Sequence, residues 1–158
     1  MGITRIIRDN IRTLIDTMTG SGKTFQVAYS EPTLKFDGLP AIWVVPASPA
    51  PSNAFSTTNE NQRVYTFHTW VFVEYDQTKP GIAYNSLMDC IDEVVNKIDH
   101  EEDPNHDTRT MANNLPSGYT LLAVLPAVGE IIPDDEVKIL AAQIIVQCKL
   151  LVDLTLLS

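Results

Sequence analysis

Residues 63–76 read RVYTFHTWVFVEYD, and this stretch decides how the chain can fold. Its Val, Tyr, Phe, Thr and Trp residues favour a pleated, half-buried surface, and no Gly or Pro interrupts them. We therefore predict that these residues form one long β-strand. The rest of the sequence must supply the elements that cover it.

The two faces of this strand are both largely apolar. Successive side chains of a strand point to opposite faces. One face presents Tyr65, Phe67, Thr69, Val71, Val73 and Tyr75. The other presents Val64, Thr66, His68, Trp70, Phe72 and Glu74. One face of an antiparallel sheet is normally exposed to water. Because both faces here are apolar, we expect either that helices cover both faces or that another chain covers one.

The length and composition indicate one globular domain. The chain has 158 residues, of which 44% are hydrophobic and 20% charged. This length suits a single core spanning residues 1–158. No apolar run is long enough to span a bilayer, and the first ten residues lack the apolar segment of a secretory signal. We expect a single domain without membrane contact.

The net charge of −9 lies entirely in the second half of the chain. Residues 1–80 carry seven basic and seven acidic side chains, whereas residues 81–158 carry four and thirteen. A protein that binds nucleic acid nonspecifically needs a basic face, so the composition argues against that class. The imbalance bears on association between molecules rather than on the fold.

The two cysteines do not form a disulfide framework. Cys90 and Cys148 are isolated thiols within apolar patterns. We predict that both are reduced core residues, with a single disulfide as the alternative.

Two helices are predicted from apolar residues that recur every three or four positions. They cover residues 3–18 and residues 81–99. Arg5, Arg8 and Arg12 share one face of the first helix. Such a stripe is either solvated or meets an acidic surface on another subunit.

Further strands are predicted on both sides of the second helix. Residues 24–30 and 39–45 are short strands whose intervening Pro and Asp-Gly favour a hairpin-like turn. Residues 119–128 form a strand ended by Pro126 and Gly129, and residues 136–154 form a long strand for which helix is the competing prediction.

Long polar segments separate these elements, and we predict loops at about 46–62 and 100–118. The fold class that follows is α+β, a mainly antiparallel sheet of four to five strands with two helices packed on one face. The opposite face is left for a partner chain, and its candidate contact residues are His68, Trp70, Phe72 and Ile145.

Two patterns suggest chemistry but fit it poorly. The string Gly20-Ser21-Gly22-Lys23-Thr24 ends like a phosphate-binding loop, but Thr17 replaces the first glycine and the strand and helix are in reversed order. Residues 99–107 are rich in Asp, Glu and His, yet their spacing matches no calcium or zinc site, so a solvated acidic loop is favoured over a metal site.

The sequence predicts neither an enzyme nor a cofactor. His68 has no nucleophile motif beside it, so we predict a structural or interfacial role for it. We accordingly predict no catalytic, cofactor-binding or metal-binding residues.

The order of elements and several phrases resemble the tail terminator or tail completion proteins of long-tailed bacteriophages. The matching phrases cover nearly the whole chain and follow the N-terminal helix. They read LPAIWVVPAS, NENQRVYTFHTWVFVEYD, YNSLMDCIDEVVNKID, LLAVLPAVGE and VKILAAQIIVQCKLLVDL. Head-closure and head-to-tail joining proteins of the same neck region are the neighbouring alternative.

This resemblance implies a homo-oligomeric ring, commonly a hexamer, that caps the tail tube and joins it to the head. The implied partners are the tail tube protein and a head-completion or connector protein. DNA would pass through the ring without specific binding. The implied location is the tail or neck of the virion, after assembly in the host cytoplasm.

Overall fold

The central strand, β4, spans Glu60–Glu74 and lies in the middle of the sheet. The structure is a computed structural model that describes residues 2–33, 35–47, 52–56, 59–100 and 114–157. The helices are α1 (Ile3–Asp16) and α2 (Pro80–His100). The other strands are β1 (Val27–Tyr29), β2 (Ala41–Pro46), β3 (Ser52–Ser56), β5 (Tyr119–Asp134) and β6 (Ile139–Asp153).

The sheet has the order β1-β2-β4-β6-β5, and β3 pairs with β4 outside this path. All neighbours are antiparallel except β1 and β2. Helix α1 packs against β1 and β2, whereas α2 packs against β4, β5 and β6. The predicted α+β class, a mainly antiparallel sheet with two helices, is therefore confirmed.

The main core forms where β4 and β6 meet the helices. Phe67 pairs with Val146, and Val71 pairs with Ala142; all four are fully buried. From α1 and α2, Ile7 and Leu87 pack into the same cluster. The predicted helix-covered face of β4 is thus correct.

The structure differs from the predicted hairpin of β1 and β2, because these strands are parallel. The connecting segment does not turn back along the sheet edge. Instead Phe36 packs at 5.9 Å from Trp43 and 4.6 Å from Phe72, measured between ring centroids. The chain therefore crosses the face opposite the helices and returns to the end of the sheet where β1 begins. Strand β2 then runs in the same direction as β1.

Two strand boundaries also differ from the predictions. Residues 52–56, within the predicted loop at 46–62, form β3 and pair with β4. Strand β5 continues through Pro126 and Gly129 to Asp134. Prolines are tolerated on an edge strand, and a bulge between Val128 and Ile131 absorbs the irregular part.

The predicted loop at 100–118 falls mostly outside the described residues, which resume at residue 114. Within the part of the chain that the structure describes, neither helix is long and apolar enough to cross a membrane.

Replacing Thr69 by valine is expected to stabilise the protein by about 1 kcal/mol. Thr69 is fully buried in the strand face below the helices, and its hydroxyl has no hydrogen-bond partner among the described residues. Valine keeps the branched shape and removes the desolvated hydroxyl. Urea denaturation measures the change, and a loss of stability would show that the hydroxyl is satisfied.

Both cysteines are free and buried, as predicted. Burial, with smaller contributions from Glu93 and Asp89, raises the pKa of the Cys90 thiol to about 11, from an ordinary value of 9.0. Unfolded chains therefore ionise Cys90 near pH 9 while the folded protein keeps it protonated. Its contribution to stability is fully present below pH 9 and is lost as the pH rises towards 11.

We expect Cys90 to resist iodoacetamide at pH 8 in the native protein and to react after unfolding in urea. Mass spectrometry of the labelled peptides reports each cysteine separately. Rapid native labelling of Cys90 would contradict the buried, protonated thiol.

Candidate functional site

The sheet surface opposite the helices is the candidate functional site, and we call it the open face. Strand pairing aligns β2, β4 and β6 so that Trp43, Trp70 and Gln143 lie side by side across it. The open face consists of Trp43, Val45, Val64, Thr66, His68, Trp70, Phe72, Ile139, Gln143, Ile145 and Gln147. Most of these side chains are half-buried in the single chain, so they retain surface for a partner.

An aromatic cluster occupies one end of the open face. The ring centroid of Phe72 lies 4.5 Å from that of Trp43, 4.6 Å from that of Phe36 and 6.5 Å from that of Trp70. These separations are typical of stabilising aromatic contacts. The cluster forms a second, smaller core with Ala41 and Ala141.

Phe72 and Trp70 differ in what they offer to another molecule. Phe72 is 7% exposed, because Phe36 and Trp43 of the same chain cover it. Its ring therefore stabilises the open face instead of presenting surface. Trp70 is only half-buried, as are His68 and Ile145. These three predicted contact residues are the ones that remain accessible.

A groove of about 400 Å³ runs beside the aromatic cluster. Phe36 and Trp70 of the cluster line one side of the groove. Ile132 of β5 and Val137 of the turn between β5 and β6 line the other side. Ile132 and Val137 are exposed. The groove extends the apolar part of the open face to the edge of the sheet.

His68 is held by a polar contact on the open face. Gln143 Nε2 donates a hydrogen bond to His68 Nδ1 at 3.1 Å. Ile145 lies opposite His68 on β6. This arrangement orients the imidazole without supplying a nucleophile, so it fits a structural or interfacial residue better than a catalytic base.

The three arginines of α1 lie together but are partly paired within the helix. Arg8 Nη2 lies 2.7 Å from Asp9 Oδ1, and Arg12 Nε lies 2.9 Å from Asp16 Oδ1. Arg5 is the most open of the three, with 64% of its side chain exposed and a distance of 3.9 Å to Asp9. The stripe therefore keeps accessible positive charge.

The glycine-rich string lies between α1 and β1, as its reversed order of elements predicted. Gly20 and Gly22 have positive φ angles, which glycine adopts readily. The Thr24 hydroxyl donates a hydrogen bond to the Glu93 carboxylate of α2. A carboxylate beside this threonine repels phosphate, so the local chemistry does not favour nucleotide binding.

Most of the acidic segment at 99–107 lies outside the described residues. Among the residues that are described, no group of three or more His, Cys, Asp or Glu side chains could hold a metal ion.

Sequence reasoning missed two contributors to this surface. Phe36 lies among turn residues, and only its contacts show that it covers Phe72. Ile132 is exposed and pairs with Ala141 on the open-face side, and it was missed because Gly129 suggested that the strand ends at residue 128. The adjacent Ile131 and Ile132 between Gly129 and Pro133 were the available signal. Val128 and Ile131 are also exposed, but they pair with Ile144 and Ala142 on the side of the sheet that the helices cover.

Comparison with known proteins identifies the fold. No protein-family model matches the sequence. No curated protein matches it either. The structure is similar to a chain in the virion of a native gene transfer agent particle, with a TM-score of 0.53 and 10% sequence identity. The similarity covers 94% of this chain and 93% of the other, so the two chains share their fold over nearly their full lengths.

Proposed function

We propose that this protein is a structural virion component, a ring-forming tail terminator that caps the tail tube and joins it to the head. The observation that carries the proposal is the open face, where Trp70 and Ile145 remain accessible on a sheet whose other face the helices cover. The shared fold with a virion chain supports the same class of function.

The open face suits an assembly made of copies of one chain. A contact between two different surfaces of the same subunit, repeated around a rotation axis, closes a ring. Such rings in tail terminators are commonly hexamers. Apolar groups on the open face would lose their contact with water in that assembly, which favours association.

The charge distribution suits a ring through which DNA passes. The acidic excess of residues 81–158 would repel the phosphate backbone wherever it faced the channel. DNA would therefore traverse the ring without specific binding. The proposed protein partners are the tail tube protein and a head-completion or connector protein, in the tail or neck of the virion.

A second candidate within the same class is a head-to-tail connector or head-closure protein. Its ring would also use the open face, but it would bind the portal side of the neck instead of the tube. A small nucleotide-binding protein is disfavoured by the contact between Thr24 and Glu93 in the glycine-rich string.

Two measurements on the purified protein distinguish these classes. Light scattering gives the mass in solution, and thermal shift reports stabilisation by ATP with magnesium. The proposal predicts a ring whose melting temperature does not respond to the nucleotide. A monomer stabilised by ATP and magnesium would overturn it.

A further inference from the structure

The two lateral edges of the subunit differ in charge, and the first is basic. Arg12 Nη1 donates a hydrogen bond to Ser30 Oγ at 3.0 Å, which places the arginine side of α1 above the β1 edge of the sheet. The opposite side of α1 faces inward, where Asn10 Nδ2 donates to the Asn114 carbonyl at 3.2 Å. We call Arg5, Arg8 and Arg12 with β1 the basic flank.

The second edge is formed by β5 and by the side of α2 that faces away from α1. Glu93 bonds to Thr24, beside the segment that leaves α1, and so marks the side of α2 that faces α1. At about 3.6 residues per turn, Asp99 lies roughly a third of a turn from Glu93, and Asp92 shares a side with Asp99. Both aspartates are exposed. We call Asp92, Asp99 and β5 the acidic flank.

The charges of the two helices have opposite signs. Helix α1 carries three arginines and two aspartates, for a net charge of +1. Helix α2 carries four acidic residues and one lysine, for a net charge of −3 with histidine neutral. The end of β5 and the following turn add Glu130, Asp134, Asp135 and Glu136 against Lys138. One flank is therefore complementary to the other, and neither is complementary to itself.

The outer edge of β5 is poorly suited to the addition of another strand. Pro126 and Pro133 provide no backbone N–H, and prolines occur in strands where that position faces away from the ladder. Register shifts between Leu121 and Ala123 and between Val128 and Ile131 further disturb the edge. A neighbour would therefore be held here by side chains rather than by a continuous backbone ladder.

We propose that the basic flank of one copy docks on the acidic flank of the next copy. This inference rests on the proposed ring and adds to the apolar open face a charged contact between the edges of neighbouring subunits. Because the two surfaces lie on different edges, the contact is heterologous and propagates in one rotational direction until the ring closes. Arg5 is the arginine most available to the neighbouring copy, since its side chain is the most exposed of the three.

Two charge-reversed proteins test this docking. One carries Arg5→Glu and Arg8→Glu, and the other carries Asp92→Lys and Asp99→Lys. In a ring made of either variant alone, like charges would face each other at every contact. Each variant alone is therefore expected not to form the ring at concentrations where the unaltered protein does. Mixed one to one, they restore opposite charges at both kinds of contact. Native mass spectrometry should then show rings that contain equal numbers of the two chains.

Matched controls separate this effect from net charge. Lys23→Glu with Lys35→Glu changes the charge as much as the arginine variant, and Asp37→Lys with Asp76→Lys, at exposed positions outside α2, changes it as much as the aspartate variant. Both controls should leave the ring intact. Circular dichroism confirms that each variant is folded.

A chemical cross-link covers the case in which a charge-reversed chain misfolds. A protein with Arg5→Cys and Asp99→Cys should form covalent ladders between subunits with a bis-maleimide, while the buried Cys90 and Cys148 do not react. Absence of these ladders in an assembled ring overturns the inference, as do charge-reversed variants that assemble normally. A wild-type protein that forms no ring, alone or on tail tubes, overturns the proposed function itself.

Discussion

Replacing Phe67 by alanine is expected to lower the free energy of unfolding by about 3–5 kcal/mol. Phe67 lies at the centre of β4, pairs with Val146 and is fully buried beneath the helices. Removing its ring takes away apolar contacts and leaves a cavity in a densely packed core. Because domains of this size have free energies of unfolding of only about 5–15 kcal/mol, this loss would remove a large part of the stability of the folded state.

Urea denaturation followed by circular dichroism measures this loss. The matched control is Thr66→Ala, the preceding position on the same strand, whose half-buried side chain faces the open face. The control is expected to cost about 1 kcal/mol or less. Equal losses for the two variants would contradict the assignment of the strand's two faces.

Replacing Trp70 by glutamate is expected to abolish assembly while leaving the subunit folded. Trp70 is a half-buried aromatic residue between Trp43 of β2 and Gln143 of β6. Large aromatic residues contribute much of the binding energy of interfaces, and truncating one of them often costs about 2 kcal/mol or more. A buried carboxylate without a partner adds a further penalty of several kcal/mol, roughly.

Light scattering at a fixed protein concentration reports the ring, and thermal unfolding reports the subunit. Ile82→Glu is the matched control, because Ile82 is 69% exposed on the outer surface of α2. This control should assemble normally. A Trp70→Glu protein with the mass of the unaltered ring would remove the open face from the subunit contact.

Local patterns in the sequence predict the central part of the fold. The alternation in residues 63–76 predicts which side of β4 the helices cover, and Phe67 and Val71 are fully buried there. Spacing of three and four residues predicts all four ends of the two helices to within two residues. These features depend on side chains that are close together in the sequence, so the pattern of a single sequence is enough to predict them.

The open face was predicted less completely, because long-range packing decides it. Phe36 lies among turn residues and covers Phe72 only after the chain crosses the sheet. The same crossing makes β1 parallel to β2. Strand β5 continues past Pro126 and Gly129 because it is an edge strand, and it lies at the edge because β6, the next strand in the chain, pairs with β4.

Electron microscopy of the purified protein mixed with tail tubes tests the central claim most directly. Images are recorded of the protein alone, of the tubes alone and of the mixture. The proposed function predicts rings of uniform diameter at one end of the tubes in the mixture, and tube lengths that stop increasing once rings are bound. Bare tube ends, with the protein remaining free as monomers, would contradict it.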